Sequence, residues 1–306
     1  MTSTGLHHVT AISGEARRNR DFYARVLGLR LVKKTVNFDD PGTYHLYFGD
    51  EAGSPGTILT FFPWANAAPG KPGAGETRET AFRVPAGSIG FWIARFVQAS
   101  VDHDAPTTRF GRPVLAFRDP DGMRLALVGV PGIEGEPAWP ADGIDAAQAI
   151  RGFDGVTLEV PEIAGTARVL TEVFGFRETA REGARVRYEG TAALGAAVEL
   201  VESGAGRPRL GVGSVHHVAF RAADDAAQAA MADALAGMGL PTTEQKDRNY
   251  FRSVYFREPG GVLFEIATDD PGFAADEPAE ALGAALKLPA ALEPQRARIE
   301  AMLPPL

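Results

Sequence analysis

The chain repeats short motifs of its own at long separations, and this internal similarity limits the folds open to it more than any other feature. Three motifs occur twice each, and the three pairs keep a consistent order along the chain. Such repeats indicate that one small structural unit is copied, each copy needing its neighbours to bury its apolar face. The paired segments are residues 7–9 and 216–218, residues 26–30 and 173–177, and residues 117–122 and 256–261.

Each repeat is predicted to hold a short apolar strand, an amphipathic helix and then strands separated by Gly and Pro turns. In the first unit, a strand is predicted over residues 6–12 and a helix over residues 15–27, with Gly28 as the helix stop. Its later strands are predicted over residues 31–36, 44–48 and 57–62. Three further units are predicted over residues 88–130, 153–202 and 215–268, the last with a helix at 225–237.

Segments rich in Gly, Pro and charge separate the units. Residues 131–144 are predicted as an interdomain linker, and residues 65–79 as a surface loop. We therefore expect a first domain over residues 1–135, with units one and two, and a second domain over residues 145–270, with units three and four. Residues 271–306 form a tail in which residues 292–303 are a candidate helix; a packing strap without chemistry is the alternative.

Composition excludes several classes of function. The chain is 45% hydrophobic and 23% charged, which is typical of a globular protein. Its net charge is −8 and it has no dense Lys/Arg run, so we expect no nucleic-acid partner. We find no signal-peptide pattern and no apolar run long enough to span a membrane, so we expect a cytoplasmic protein without a membrane partner. Because the chain has no cysteine, any metal must bind His, Asp, Glu or other oxygen ligands.

Four of the six histidines lie in two pairs, His7-His8 and His216-His217, at the starts of units one and four. Because successive side chains of a strand point to opposite faces, one histidine of each pair can point into a shared cavity. The residues that follow His7 and His216 on their strand face are apolar and suit a face packed on a helix. We therefore assign His8 and His217 to the cavity. The isolated histidines are predicted as structural or surface residues: His45 and His103.

An acid in an apolar strand completes a candidate metal site. Glu265 interrupts the apolar run at residues 262–267, where an ionised carboxylate is costly unless it is paired or binds a metal. The aligned residue of unit two is Ala126, so the repeat itself does not require the acid. Two imidazoles and one carboxylate with open positions are the ligand set of non-haem Fe(II) oxygenases, and Mn(II) suits it too. A structural role for the histidine pairs, and zinc hydrolysis on these ligands, stay open as alternatives.

Taken together, these segments resemble the vicinal oxygen chelate superfamily, and within it the dioxygenases that cleave para-hydroquinones. The resemblance extends over nearly the whole chain. It implies an α+β fold of four βαβββ modules arranged as two domains of paired modules. It also implies Fe(II), or alternatively Mn(II), held by the residues that match His8, His217 and Glu265. The segments that carry the resemblance are residues 5–10, 44–48, 56–57, 108–111 and 151–153, with the whole fourth unit.

The resemblance implies further candidate catalytic residues around the metal. Arg248 and Tyr255 match the arginine and tyrosine that the family places near the substrate, and His7 and His216 are implied to lie just outside the metal ligands. A surface charge for Arg248 and simple strand packing for Tyr255 are the alternatives. The segment departs from the family pattern at Asn249, where a small residue often stands, so the ring substituents of the substrate stay open.

The predicted function is therefore cleavage of a small aromatic ring of hydroquinone type with O2. The protein orients the ring while the metal serves as template and electron conduit. With ligands in units one and four, we expect these units to share one cavity and units two and three to form a second, metal-free cup. The alternatives are a glyoxalase-like metal lyase or isomerase and a protein that binds aromatic ligands without chemistry. Assembly into a homo-oligomer is left open.

Overall fold

The computed structural model describes residues 4–306, and its strands and helices follow the four repeats. Unit one begins with a strand and a short helix whose last turn is π-helical, and three strands complete it. Gly28, with a φ of 72°, ends the helical segment where the sequence predicts the stop. The elements are β1 (Leu6–Ser13), α1 (Ala16–Asp21) with the π-turn Phe22–Val26, β2 (Arg30–Asn37), β3 (Asp40–Gly49) and β4 (Ile58–Pro63).

Units two and three repeat this order of elements. In unit two these are β5 (Glu76–Pro85), α2 (Ile89–Gln98), β6 (Thr107–Arg109), β7 (Arg112–Arg118) and β8 (Arg124–Val130). In unit three they are β9 (Phe153–Val160), α3 (Ile163–Arg168) with the π-turn Val169–Val173, β10 (Arg177–Glu182), β11 (Arg185–Glu189) and β12 (Ala197–Glu202).

Unit four carries the longest helix of the described chain, and its bounds match the sequence prediction. The unit consists of β13 (Val215–Ala222), α4 (Asp225–Gly237), β14 (Lys246–Asp247), β15 (Arg252–Arg257) and β16 (Leu263–Thr268). The tail then forms three short 3-10 turns and a last helix, α5 (Arg296–Met302), within the predicted segment. No helix among residues 4–306 is long and apolar enough to cross a membrane.

The start of unit two differs from the sequence prediction. The unit begins at Glu76 with strand β5, whereas the sequence places a surface loop over residues 65–79 and the unit's start at residue 88. The charged residues at the start of β5 suggested a loop, but they belong to a strand with alternating faces. Glu79, for example, is buried and pairs with Arg109 of β6 at 2.5 Å.

The sixteen strands form two curled sheets of eight strands, as expected for paired βαβββ modules. The first sheet has the order β14-β15-β16-β13-β1-β4-β3-β2 and thus joins unit four to unit one. The second sheet has the order β10-β11-β12-β9-β5-β8-β7-β6 and joins unit three to unit two. The predicted pairing of units one and four is therefore confirmed, while the division into two sequential domains stays a prediction.

The tail packs on the first sheet as a strap, the alternative that the sequence left open. Phe273 packs against Tyr47 of β3, with ring centroids 5.1 Å apart. The fully buried Lys33 of β2 pairs with Asp276 and Glu277, each at 2.6 Å, so its charge is compensated inside the protein. The helix α5 adds Ile299 to an apolar cluster on the same unit. The strap therefore closes one side of the first sheet.

The third sequence repeat is a turn that ties neighbouring units together. The buried carboxylate of Asp119 accepts hydrogen bonds from the backbone N–H of Asp121 at 2.9 Å and of Met123 at 2.8 Å. It also accepts one from the hydroxyl of Tyr23 in unit one at 2.9 Å. Burial raises the pKa of Asp119 to about 6. The motif at residues 117–122 is thus explained by packing and carries no chemistry.

We predict that Asp119→Ala lowers the free energy of unfolding by about 1–3 kcal/mol, because buried donors lose their acceptor. Chemical denaturation at pH 8, where Asp119 is ionised, measures the change. The matched control is Asp104→Ala, which removes an exposed carboxylate and should change stability by less than about 0.5 kcal/mol. Equal stabilities of the two variants would contradict this role of the turn.

Candidate metal centre

Strands β1 and β13 run antiparallel at the centre of the first sheet, and each carries a β-bulge. The pairing register shifts by one residue at His7 on β1 and by one residue at His216 on β13. Each of these histidines is therefore the extra residue of its bulge, a device that redirects side chains. Strict alternation of side chains would point His7 and His216 away from the cavity. The bulges instead bring the side chain of each beside that of the histidine that follows it in the chain.

The structure brings the three predicted metal ligands together. The Nε2 atoms of His8 and His217 lie 3.3 Å apart. The Oε2 atom of Glu265, on the adjacent strand β16, lies 2.9 Å from Nε2 of His217 and 3.3 Å from Nε2 of His8. All three side chains are buried. They form the one group of three metal-type ligands among residues 4–306.

The spacing and bonding of these atoms fit a divalent metal. Two ligand atoms about 2.1 Å from one metal and at right angles to each other lie about 3 Å apart, close to the separations observed here. Oε2 of Glu265 is buried, and no donor among the described residues meets it with hydrogen-bond geometry. A buried carboxylate oxygen without a partner is costly, and a metal ion would remove that cost.

The electrostatics of the group also suit a metal. Burial by itself raises the pKa of Glu265, but the nearby imidazoles of His8 and His217 outweigh it and hold the pKa well below its usual range. Burial lowers the pKa of the His217 imidazole. An ionised carboxylate beside a neutral imidazole is the protonation state in which these groups bind a metal.

Neighbouring side chains fix the direction of each ligand. The Nδ1 atoms of His7 and His8 lie 2.9 Å apart, and those of His216 and His217 lie 2.8 Å apart. Each ligand histidine is therefore bonded through Nδ1, which leaves Nε2 for a metal. The hydroxyl of Ser253 on β15 donates to Oε1 of Glu265 and leaves Oε2 directed at the histidines. Sequence reasoning missed Ser253, because a serine in a strand carries no signal of its own.

His8 and His217 of the triad line a cavity of about 260 Å³, and aromatic side chains form much of the rest of its wall. Arg248 and Tyr255 both lie in its wall, as the resemblance implies for residues near the substrate. Nε of Arg248 donates to the hydroxyl of Tyr255 at 3.3 Å, and its two Nη atoms each lie 3.3 Å from Oδ2 of the exposed Asp39. Burial raises the pKa of Tyr255, so its hydroxyl stays protonated. The aromatic wall consists of Phe38, Tyr47, Phe62, Trp64, Phe251 and Tyr255.

His45 also lies in the cavity wall, contrary to the sequence expectation of a structural or surface residue. Its position on the same strand face as Tyr47 gave the only signal that could have placed it there. His103 lies in the second sheet, where it pairs with Phe117, and takes no part in the cavity. Four of the six histidines thus line the cavity: His8, His45, His216 and His217.

Comparison with known proteins gives the family. The family model of the Glyoxalase/Bleomycin resistance protein/Dioxygenase superfamily matches residues 5–127 and 152–266. The chain belongs to this superfamily. It is 47% identical over 302 residues to "Putative ring-cleaving dioxygenase MhqO" of Bacillus subtilis (strain 168), covering 98% of this chain and 96% of that protein. It is 35% identical over 299 residues to "Chlorohydroquinone/hydroquinone 1,2-dioxygenase" of Sphingobium indicum, covering 94% and 92%.

Solved structures of superfamily members agree with this fold. A crystal structure titled as a putative dioxygenase from Bacillus subtilis subsp. subtilis str. 168 has a TM-score of 0.95 at 46% identity, covering 99% of this chain and 97% of that one. Glyoxalase I from Zea mays has a TM-score of 0.64 at 14% identity, covering 88% and 93%. The second likeness shows a shared superfamily fold and nothing further.

We predict that Glu265→Gln lowers the affinity for a divalent metal by more than about 100-fold, because the amide keeps the shape of the ligand but loses its charge. Ser253→Ala should lower the affinity by about 10- to 100-fold, since it removes only the hydrogen bond that orients the ligand. Elemental analysis and competition with a chromophoric chelator measure both effects. His103→Ala is the control and should keep the full metal content; a Glu265→Gln protein that also keeps it would remove Glu265 from the site.

Proposed function

We propose that the protein is a metal-dependent ring-cleaving dioxygenase that opens an aromatic ring of hydroquinone type with O2. The observation that carries the proposal is the buried triad of His8, His217 and Glu265 beside Arg248 and Tyr255 in one aromatic-lined cavity. Full-length relatives named as ring-cleaving and hydroquinone dioxygenases support it. One O2 adds to one ring and one carbon–carbon bond breaks, so the reaction needs no further co-reactant.

The proposed metal is Fe(II), alternatively Mn(II), with His8, His217 and Glu265 as ligands and extradiol-type chemistry. When bound there, such a metal supplies the electron exchange between an electron-rich ring and O2. His7 and His216 position the two ligand imidazoles through the Nδ1 contacts. Buried hydrogen bonds of this kind keep ligand geometry fixed during turnover.

Arg248 and Tyr255 act on the substrate oxygen nearest the triad. The Tyr255 ring lies 5.6 Å from the ring of the ligand His217, which supports a role for Tyr255 at that oxygen. The guanidinium of Arg248 attracts a phenolate, and the protonated hydroxyl of Tyr255 donates a hydrogen bond to it. Both groups stabilise negative charge that develops on that oxygen. The aromatic side chains of the wall lower the local dielectric constant, which strengthens these interactions.

The cavity favours this reaction over the alternatives. A protein that only sequesters an aromatic ligand has no need of a buried ligand triad with an open side, so the triad counts against that function. The glyoxalase reaction is supported only by a fold shared at 14% identity, whereas dioxygenase names belong to relatives that align over more than nine-tenths of the chain. The cytoplasmic location stays a prediction.

We predict that the metal-loaded protein consumes one O2 per hydroquinone and releases a ring-opened product, with catechol as a slower substrate. An oxygen electrode gives the stoichiometry, and mass spectrometry checks that the product equals hydroquinone plus one O2. The Glu265→Gln protein is the inactive control. Full-speed reaction without oxygen, or turnover of a thiol hemiacetal with none of any hydroquinone, would support the glyoxalase alternative instead.

We predict that Tyr255→Phe lowers kcat by about 10- to 1000-fold with unchanged metal content, the loss typical of a positioned proton or hydrogen-bond donor. Arg248→Met should lower kcat and also raise KM, because a cation attracts the phenolate before the chemistry begins. Steady-state kinetics on metal-normalised samples measure both.

The matched controls for these two variants lie in the second sheet. Tyr188→Phe and Arg181→Met remove the same groups away from the cavity and should leave kcat and KM unchanged. A Tyr255→Phe enzyme with normal kcat would remove Tyr255 from the mechanism, and an Arg248→Met enzyme with normal kcat and KM would do the same for Arg248.

A further inference from the structure

The cavity is built from two halves that correspond in strand register. Tyr255 on β15 lies opposite Glu265 on β16. Tyr47 on β3 lies opposite Thr60 on β4 in the same way. Glu265 pairs with Ala219, which is two residues after the ligand His217. Thr60 pairs with Thr10, which is two residues after the ligand His8. Tyr47 therefore occupies in unit one the position that Tyr255 occupies in unit four.

In the half from unit one, a network of neutral hydrogen-bonding groups takes the place that the Glu265 carboxylate has in the half from unit four. The hydroxyl of Tyr47 lies 2.8 Å from Nδ1 of His45, and Nε2 of His45 lies 2.8 Å from the hydroxyl of Thr60. Thr60 continues the network to Thr10 at 2.9 Å. The His45 ring packs between Tyr47 and Phe62, with centroids 4.0 and 4.3 Å away. The imidazole is thus held on both faces and at both nitrogens.

This network leaves Tyr47 with unused bonding capacity at the cavity wall. A phenolic hydroxyl can donate one hydrogen bond and also accept, and His45 takes up only one of these. Burial lowers the pKa of His45 well below its usual value, and burial raises the pKa of Tyr47. A neutral imidazole can either donate or accept at Nδ1. The Tyr47 hydroxyl is therefore free to accept from a phenol or to donate to a phenolate.

We propose that Tyr47 hydrogen-bonds the ring oxygen that does not face the triad, with His45 as the residue that positions the Tyr47 hydroxyl. The inference rests on the proposed function and names the part of the site that selects its substrate class. In a para-diphenol the two oxygens lie at opposite ends of the ring, so when one faces the triad the other points across the cavity.

The strand order supports this division of the cavity. Strand β3 lies two strands from β1, so about 10 Å separates the backbone of Tyr47 from that of Thr10, which is two residues from the ligand His8. The second oxygen of a para-diphenol lies at the far end of the ring, away from the triad, whereas the second oxygen of an ortho-diphenol lies next to the first and stays at the triad. Tyr47 thus favours rings with a para oxygen, while the charged half with Arg248 and Tyr255 acts on the oxygen at the triad.

The test measures binding without turnover. Metal-loaded protein is titrated calorimetrically, in the absence of oxygen, with hydroquinone and with phenol, which lacks the para hydroxyl. The wild-type protein should bind hydroquinone about tenfold more tightly than phenol, the effect of one buried hydrogen bond. Tyr47→Phe should weaken hydroquinone binding to the level of phenol and leave phenol binding unchanged. His45→Phe should reduce the preference in the same direction, because it frees the Tyr47 hydroxyl from its fixed orientation.

Tyr44→Phe is the matched control, since it removes a tyrosine hydroxyl from the same strand outside the cavity wall, and it should keep the tenfold preference. A Tyr47→Phe protein that keeps the preference, or one that loses affinity for both ligands equally, overturns the inference. Either result can occur while the wild-type protein still consumes O2 with hydroquinone, so the proposed function would stand. A wild-type protein that cleaves no hydroquinone overturns the proposed function instead.

Discussion

The antiparallel pairing of β1 with β13 is the contact on which the site depends. These strands come from the first and last units of the chain, and the ligands His8 and His217 on them are 209 residues apart in sequence. Their pairing places two Nε2 atoms 3.3 Å apart and brings β16, with Glu265, to the same point of the sheet. The pairing of the first unit with the last is therefore also what assembles the proposed metal ligands.

The second sheet shows which features belong to the fold and which belong to the site. Its central strands, β5 and β9, carry register shifts at Arg78 and Asp154, matching those at His216 and His7 in the first sheet. The bulges therefore belong to the repeated architecture. In place of a ligand triad, the second cup holds buried ion pairs, in which Arg187 contacts Asp154 at 3.2 Å and Glu199 at 2.9 Å. The second sheet thus carries buried ion pairs where the first sheet carries the triad.

Sequence reasoning predicted the units, the long helix at residues 225–237 and the cavity face of His8 and His217, because these follow from local periodicity. It could not place His7 and His216, since a bulge depends on the partner strand and leaves no local pattern. The start of β5 was missed for a related reason. Its charged residues are typical of a loop in the sequence, and only an ion-pair partner on another strand, such as Arg109 for Glu79, explains them in a strand. Ser253 was missed because its partner Glu265 lies on another strand, and His45 because one of its two partners, Thr60, does.

The same reasoning explains how one repeated fold yields a site with two unlike halves. Both halves keep a tyrosine at the same register position, Tyr255 and Tyr47, and a hydrogen-bonding residue behind it. They differ where Glu265 of one half corresponds in register to Thr60 of the other, so one half carries a carboxylate and the other a neutral hydroxyl. The single acid Glu265 on this repeated scaffold therefore gives the two ends of the cavity different charges. A ring bound as proposed would meet the proposed metal ligands and a cation at one end, and neutral hydrogen-bonding groups at the other.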